Sequence, residues 1–249
     1  IHRPKLKNLR TELLSNLDCV MIRADPPFDQ EYLYATQILE RIHGTKTQVI
    51  NNPQAIRDCN EKLFATEFAH LMPDTIVSAQ HNELRAFHAE KKDIILKPLD
   101  GMGGDGIFRV TESGLNLGVM LETLSPNQSK LVMAQQFLPE ITEGDRRVLI
   151  LHGKPIDYVL ARIPLQGETR GNLAAGGSGV AKPISNKERE IASHVGTHLR
   201  KRGLLFVGLD IIGHYLTEIN ITSPTCVREI DAQMGTKIAT NFFETLFEE

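Results

Sequence analysis

Apolar and polar positions change their period several times along this chain, and each change marks an element. Residues 19–23 form a short β-type run that leads at once into the turn Asp25-Pro26-Pro27-Phe28-Asp29. Over 30–43, Leu33, Ala35 or Thr36, Ile38, Leu39 and Ile42 recur at helical spacing and Gly44 supplies a stop, which predicts a helix. Val49-Ile50 reads as a short strand. Asn52 before Pro53 has the pattern of an N-cap with proline at the first helical position, opening helical sequence that runs with a break to His70 before Pro73 ends it. Strands are predicted at 75–77, 93–97 and 107–110, with a helix around 83–90 between the first two and a glycine-rich loop between the last two.

The second half continues with strands at 131–135, 147–151 and 158–162, then a long loop from Pro164 to Gly179. A helix over 186–202 follows, and after it the most strand-like pair in the chain, 206–212 and 216–221. Mixed strands and helices with hairpins predict an α+β fold rather than one doubly wound sheet. No internal repeat or low-complexity tract interrupts this order.

Composition narrows the possibilities. The 249 residues are 41% hydrophobic, enough to bury a sizeable core in one large or two small domains. With 28 Lys and Arg against 31 Asp and Glu, the formal charge of −3 gives no general attraction to nucleic acid or anionic membrane, so an anionic ligand must be held by local clusters. No apolar run approaches the roughly 20 residues that span a bilayer. The first ten residues are too basic and too broken for a signal peptide, so a soluble, cytoplasmic protein is expected. Cys19, Cys59 and Cys226 are odd in number and widely spaced, which points to thiols in a reducing compartment rather than to disulfides or a zinc cluster. The chain starts at Ile1 and enters a functional-looking turn almost immediately, which raises the expectation that N-terminal sequence is missing.

Three features carry chemistry. Gly101-Met102-Gly103-Gly104-Asp105-Gly106 follows a strand and formally matches the dinucleotide fingerprint, but that fingerprint needs a helix next, and 107–110 is strand-like. A P-loop fails too, because Gly106 is followed by Ile107 and not by Lys with Ser or Thr. What remains is a glycine-rich hairpin whose amides could close over phosphates, or a plain flexible hairpin. Lys97 ends a buried-looking strand just before it, either as a phosphate-binding cation or as a salt-bridged structural lysine. The most specific signal is Asp210, Glu218 and Asn220 on two successive strands. Glu218 and Asn220 share a sheet face by alternation, and hard oxygen donors in apolar strands suit magnesium with a nucleotide; the plainer reading is a polar solvent face.

At this point the chain resembles the bacterial-type glutathione synthetases of the ATP-grasp superfamily. The resemblance is carried by residues 95–104, 167–177 and 208–212, by Thr217-Glu218-Ile219-Asn220-Ile221-Thr222-Ser223-Pro224-Thr225, and by the turn at 25–29. It implies an ATP-grasp fold in which residues 1–58 are the remainder of an α/β N-terminal domain, 59–133 a central lid subdomain, and 134–249 a C-terminal subdomain with the metal site and a substrate loop. It implies that Lys62, Lys97, Gly101, Gly103, Gly104, Gln135, Gln136, Phe137, Leu138 and Asp145 bind ATP, and that Arg147, Arg162 and Lys97 act on the transferring phosphoryl group. Asp25, Arg162, Arg170, Asn172, Ser223 and Thr225 would meet the substrates; Asp210, Glu218 and Asn220 would hold magnesium, or manganese in its place. The family hinge often has Asn and Tyr where this chain has Gln136 and Phe137.

The implied activity is an ATP-dependent ligation of γ-glutamylcysteine to glycine through an acyl phosphate, by a homo-oligomer, a tetramer in the family, with no nucleic-acid or membrane partner. The competing readings are another ATP-grasp carboxylate–amine ligase, of the D-alanine–D-alanine or glutamate-adding type, and a nucleotide-binding module without catalysis. The loop 164–179 is expected to close over the site. One geometric condition bears on the metal trio. If Asp210 is to oppose Glu218 in an unbulged hairpin, the connection must have an odd number of residues, most simply Gly213-His214-Tyr215.

Overall fold

A computed structural model describes residues 10–168, 170–171, 173 and 176–248. The chain opens with β1 (Cys19–Met21), then α1 (Gln30–Glu40), whose first turn is capped by Asp29 accepting from the Tyr32 amide at 2.9 Å. β2 (Gln48–Ile50) pairs in parallel with β1. Asn52 caps α2 (Pro53–Asp58) by accepting from the amides of Gln54 and Ala55, with Pro53 at the first helical position. The predicted break in this helical stretch is real: a 3₁₀ segment, Phe64–Leu71, stands apart from α2.

Next come β3 (Thr75–Ser78), α3 (His81–Lys91), β4 (Ile94–Pro98), β5 (Phe108–Val110), α4 (Leu117–Leu124) and β6 (Val132–Gln136). They build an antiparallel four-stranded sheet in the order β3-β6-β4-β5. Alternation divides β4. Ile94 and Leu96 pack with Leu84 of α3 and Leu117, Leu121 and Leu124 of α4, while Ile95 and Lys97 point to the other face.

The remaining strands, β7 (Asp145–Leu151), β8 (Lys154–Ile163) and β9 (Ser178–Pro183), are followed by α5 (Asn186–Lys201), β10 (Phe206–Ile212), β11 (Tyr215–Asn220), α6 (Val227–Met234) and α7 (Ile238–Glu248). They form a five-stranded antiparallel sheet, β11-β10-β7-β8-β9. Sequence reading extended the long loop to Gly179, but its last two residues already belong to β9, which pairs with β8 from Ile163↔Ser178 onward. One face of this sheet, with Val148, Ile150, Val207, Leu209, Ile211 and Ile219, packs against Ile191, Ala192, Val195 and Leu199 of α5. A capping box fixes where α5 starts: Ser185 Oγ accepts from the Glu188 amide, and Glu188 Oε2 accepts from the Ser185 amide. The opposite face meets α6 and α7 at one end, through Leu149, Leu160, Ile230 and Ile238, and turns charged at the other. The mixed architecture is the α+β class that the pattern predicted. No helix among the described residues is long and apolar enough to cross a membrane.

Candidate active site

The charged end of the five-stranded sheet is set by strand register. Glu218 lies opposite Asp210, Asp210 lies opposite Arg147, and Asp145, two residues before Arg147, lies opposite Arg162. Cross-strand partners share a face, so five ionisable side chains from four strands stand together. Arg147 grips Asp210 with Nε at 2.6 Å and a terminal nitrogen at 3.1 Å. Arg162 bridges two carboxylates, pairing with Asp145 and reaching Asp210 Oδ2 at 2.9 Å. Gly208 makes the room: a Cβ there would lie 2.8 Å from Arg147 Cδ and 2.9 Å from Pro224 Cβ.

The hairpin between β10 and β11 satisfies the parity condition by an unexpected route. Its turn is the two-residue Gly213-His214, with Gly213 at φ 58°, not the three-residue connection expected for an unbulged pair. One bulged residue, Thr217, restores the register, so that Asp210 faces Glu218 after all. The Thr217 hydroxyl donates to Asp210 O at 3.1 Å, and the Thr217 carbonyl accepts from Lys97 Nζ at 3.3 Å. The bulge thus brings a backbone carbonyl to a lysine of the other sheet.

Lys97 and Lys62 complete the cluster. Lys62 Nζ lies 3.1 Å from Glu218 Oε1 and donates to Gly101 O at 2.5 Å, tying the metal-candidate strand to the glycine loop. That loop joins β4 to β5 and no helix follows it, as the rejection of a Rossmann site required. Gly103 and Gly104 take φ of 63° and 87°. Lys97 is 6% exposed and has no carboxylate within ion-pairing distance among the described residues.

Burial and charge act in opposite directions here. Burial pushes the Lys97 ammonium down to about 8, only partly offset by Glu218. Burial raises Asp145 to about 6 against the pull of the Arg162 guanidinium. For Asp210 burial loses: Arg147 and Arg162 hold its carboxyl well below the ordinary carboxylate range. Asp145 Oδ1 and Arg162 Nε are buried without a hydrogen-bond partner, which leaves polar capacity for something that approaches from the cleft.

That cleft lies between the two sheets. Ile95, Lys97 and Gln135 line it from the four-stranded sheet, and Asp145, Ile212, Thr217 and Glu218 from the five-stranded one. The connection Gln136, Phe137 and Leu138 closes one end, and Arg170 and Gly171 approach from the loop. The Gln136 and Phe137 amides are committed to Asp74 O and Asp93 O, each at 2.9 Å, so a base in this cleft would be read by other groups. Arg109 was not singled out in the sequence. Its guanidinium lies 3.6 Å from the Phe137 ring centroid while it pairs with Asp93 at 2.7 Å, an arrangement no linear pattern encodes.

The oxygen trio fits a hard divalent cation by its donor chemistry. Glu218 and Asp210 are register partners; Asn220 donates its amide nitrogen to Gly208 O at 3.4 Å, so its oxygen is the atom a cation would take. Among the described residues no three His, Cys, Asp or Glu side chains form a metal cluster; here the third donor is an amide.

Of the residues expected at the substrates, Asp25 Oδ1 accepts from Ser223 Oγ at 2.5 Å, joining the N-terminal turn to the stretch after β11. Thr225 is beside Cys226 Sγ at 3.7 Å and is not joined to that pair. Arg170 pairs with Glu168 at 3.1 Å. Asn172 lies outside the described residues, as do Thr169, Ala174 and Ala175 of the same loop. Glu61 and Arg23 escaped the sequence reading. Glu61 is merely the neighbour of Lys62, and Arg23 the end of a strand, yet both fasten the stretch that carries Ser223.

Comparison with known proteins identifies the family. The ATP-grasp domain of prokaryotic glutathione synthetase matches residues 61–235, and the N-terminal domain of prokaryotic glutathione synthetase matches residues 3–57. The chain is similar to the glutathione synthetase of Pseudomonas aeruginosa, 57% identical over 233 residues, covering 94% of this chain and 74% of that protein. It is 60% identical over 219 residues to that of Yersinia pestis, covering 88% and 69%. Among solved structures it resembles the D-cycloserine synthetase DcsG, with TM-score 0.68 and 17% identity over 90% of this chain and 83% of that one. The ATP-grasp ligase PsnB, complexed with minimal precursor, magnesium and ADP, gives TM-score 0.64 and 21% identity over 93% and 77%. These distant likenesses carry the fold alone, whereas the domain matches and the high identities place this chain in the prokaryotic glutathione synthetase family of ATP-grasp ligases.

Proposed function

We propose that this chain joins γ-glutamylcysteine to glycine, with ATP converted to ADP and phosphate, through an acyl phosphate. The observation that carries the reading is the buried network that joins Arg147, Arg162 and Lys62 to Asp145, Asp210 and Glu218, two of which, with Lys97, line the cleft between the two sheets. A carboxylate is a poor electrophile, so its oxygen attacks the γ-phosphorus, forming the C–O–P linkage as the bond to ADP breaks. The glycine amine then attacks the carbonyl carbon and expels phosphate, and the new amide nitrogen gives up a proton. Both steps shift negative charge onto phosphoryl oxygens, where preorganised cations in a water-poor site are most effective.

In this scheme Lys62 and Lys97 hold the nucleotide phosphates, with the backbone of Gly101, Gly103 and Gly104 closing over them. Gln135, Gln136, Phe137 and Leu138 border the base, and Asp145, with its unpartnered oxygen, faces the nucleotide. Arg147 and Arg162 meet the transferring phosphoryl group. Asp25, Ser223, Thr225, Arg170 and Asn172 belong to the side of γ-glutamylcysteine and glycine. Asp210, Glu218 and Asn220 would hold magnesium, or manganese, which supplies charge neutralisation for phosphoryl oxygens. The three free cysteines and the thiol substrate suit a reducing, ATP-rich compartment, the cytoplasm. The working form in this reading is a homotetramer.

ADP release measured with each substrate omitted in turn tests the reading. Release that requires both γ-glutamylcysteine and glycine, and stops when the divalent cation is chelated, is the expected result. Equal release with D-alanine as the only amino acid would shift the assignment to another carboxylate–amine ligase, and nucleotide binding without release would make the chain a binding module.

A further inference from the structure

The stretch from Ile221 to Thr225 leaves β11 without regular structure, yet it is fastened at almost every residue. The Ile221 carbonyl accepts from Asn51 Nδ2 at 2.8 Å, and the Pro224 carbonyl accepts from an Arg23 terminal nitrogen at 2.8 Å. The densest attachment is one carboxylate oxygen. Glu61 Oε1 accepts from the Ile221 amide at 2.8 Å, the Thr222 amide at 3.0 Å and the Thr222 hydroxyl at 2.8 Å. Ile221 and Thr222 are 1% and 5% exposed, so removing the carboxylate leaves three donors at a largely buried place without their acceptor.

The neighbour of Glu61 faces the other half of the site. The Glu61 carbonyl accepts from the Ile219 amide at 2.9 Å, and Lys62 reaches both Glu218 Oε1 and Gly101 O. Two consecutive residues therefore hold two different parts. Lys62 joins the phosphate side, and Glu61 holds the stretch that presents Ser223 and Thr225. Glu61 and Lys62 also border a second hollow, together with Pro26, Phe28, Asp100 and Thr222, between the N-terminal turn and the glycine loop.

We propose that Glu61 is a positioning residue: through its three hydrogen bonds it keeps Ile221–Thr225 in register with Lys62, so that γ-glutamylcysteine is held where its carboxylate meets the γ-phosphate. This role rests on the glutathione synthetase reading of the site. It predicts that the Glu61 side chain matters to the peptide substrate and not to the nucleotide, because Lys62, Lys97 and the glycine loop keep their contacts without it.

Steady-state kinetics of the full chain test this. In Glu61→Ala, KM for γ-glutamylcysteine should rise about tenfold, as expected when several hydrogen bonds to one acceptor are lost, with KM for ATP changed less than about twofold. Glu61→Gln, whose amide oxygen can still accept, should recover most of that loss. Thr222→Val, which removes one of the three donors, should raise the same KM by about threefold, and should add little when combined with Glu61→Ala. A merely structural role predicts that both KM values rise together, or that Gln is as damaging as Ala, and either result overturns the proposal. Should Glu61→Ala fail to fold, the Gln and Thr222→Val proteins decide: an unchanged KM for γ-glutamylcysteine in Thr222→Val overturns the role. A wild-type protein that made no ADP with both substrates would overturn the activity itself and the role with it, whereas an active wild type with an unsplit Glu61→Ala overturns the role alone.

Discussion

The two sheets that face the cleft solve the binding problem by different means. The five-stranded sheet commits side chains: Asp145, Arg147, Arg162, Asp210 and Glu218 are locked by register into a network with a core on its other face. The four-stranded sheet brings one charged side chain, Lys97, beside the uncharged Ile95 and Gln135, and the Gln136 and Phe137 amides at its end are already committed. In the proposed scheme the charge that acts on the phosphoryl group is thus built into the five-stranded sheet, and the less charged sheet borders the rest of the nucleotide. Substitutions should therefore be felt very unequally across the cleft.

The largest effect is expected at Arg162. Its replacement by Ala removes the cation that the proposed scheme sets against the phosphoryl group, and takes from the buried Asp145 and Asp210 a guanidinium that both pair with. Turnover should drop by at least about 10²–10³-fold. Thermal or urea unfolding should also show a loss of about 3–5 kcal/mol, so fold and activity suffer together. Normal turnover in that protein would remove Arg162 from the reaction.

Lys97 separates the two. Buried, with a 3.3 Å contact to the Thr217 carbonyl and no ion-pair partner among the described residues, it is a cation whose burial Glu218 only partly offsets. Lys97→Met should cost about 10²–10³ in turnover while leaving stability unchanged or higher. A loss of stability as large as that of Arg162→Ala would contradict the picture.

The same lysine sets a pH signature. Its folded value of about 8 lies below the ordinary 10.5, so between these limits the unfolded chain holds a proton that the folded one has lost. Its destabilising effect is then present in full below about pH 8 and is relieved as pH rises towards 10.5. In activity the sign is opposite: kcat/KM for ATP should fall as pH rises through about 8, and Lys97→Arg should carry that limb upward. A profile flat to pH 9.5 would deny the lysine its charge-dependent role.

Gly208→Ala should be milder. The added Cβ presses on Arg147 Cδ and Pro224 Cβ, an overpacking that costs about 1–3 kcal/mol in unfolding experiments and lowers turnover by shifting Arg147. The smallest effect belongs to the end of the four-stranded sheet. Gln136→Asn with Phe137→Tyr should change KM for ATP by less than about threefold, because the two amides are already committed and the Arg109 stack survives in Tyr.

How much of this was legible in the sequence followed the same division. Polar residues in apolar strands stand out, so Lys97, Asp210, Glu218 and Asn220 could be picked out, and alternation put the last two on one face. The partnership of Asp145 with Arg162 was hidden, because it depends on the register of β7 against β8. The Gly213-His214 turn looked too short, because a bulge such as Thr217 leaves no local mark in composition. The first two residues of β9, Ser178 and Gly179, were read as loop because they are small, and their pairing to β8 comes from the sheet and not from their own propensity. Glu61 was unreadable for a further reason: its partners Ile221 and Thr222 lie about 160 residues away and two of its three bonds are to main-chain amides.

The central claim is that carboxylate oxygen attacks phosphorus before nitrogen attacks carbon. It is tested by γ-glutamylcysteine labelled with ¹⁸O in its cysteinyl carboxylate, turned over with ATP and glycine, with mass analysis of the inorganic phosphate. The bridging oxygen of an acyl phosphate leaves with phosphorus, so each phosphate should carry one labelled oxygen and the new amide should retain the other. Unlabelled phosphate accompanying full peptide formation would contradict the account.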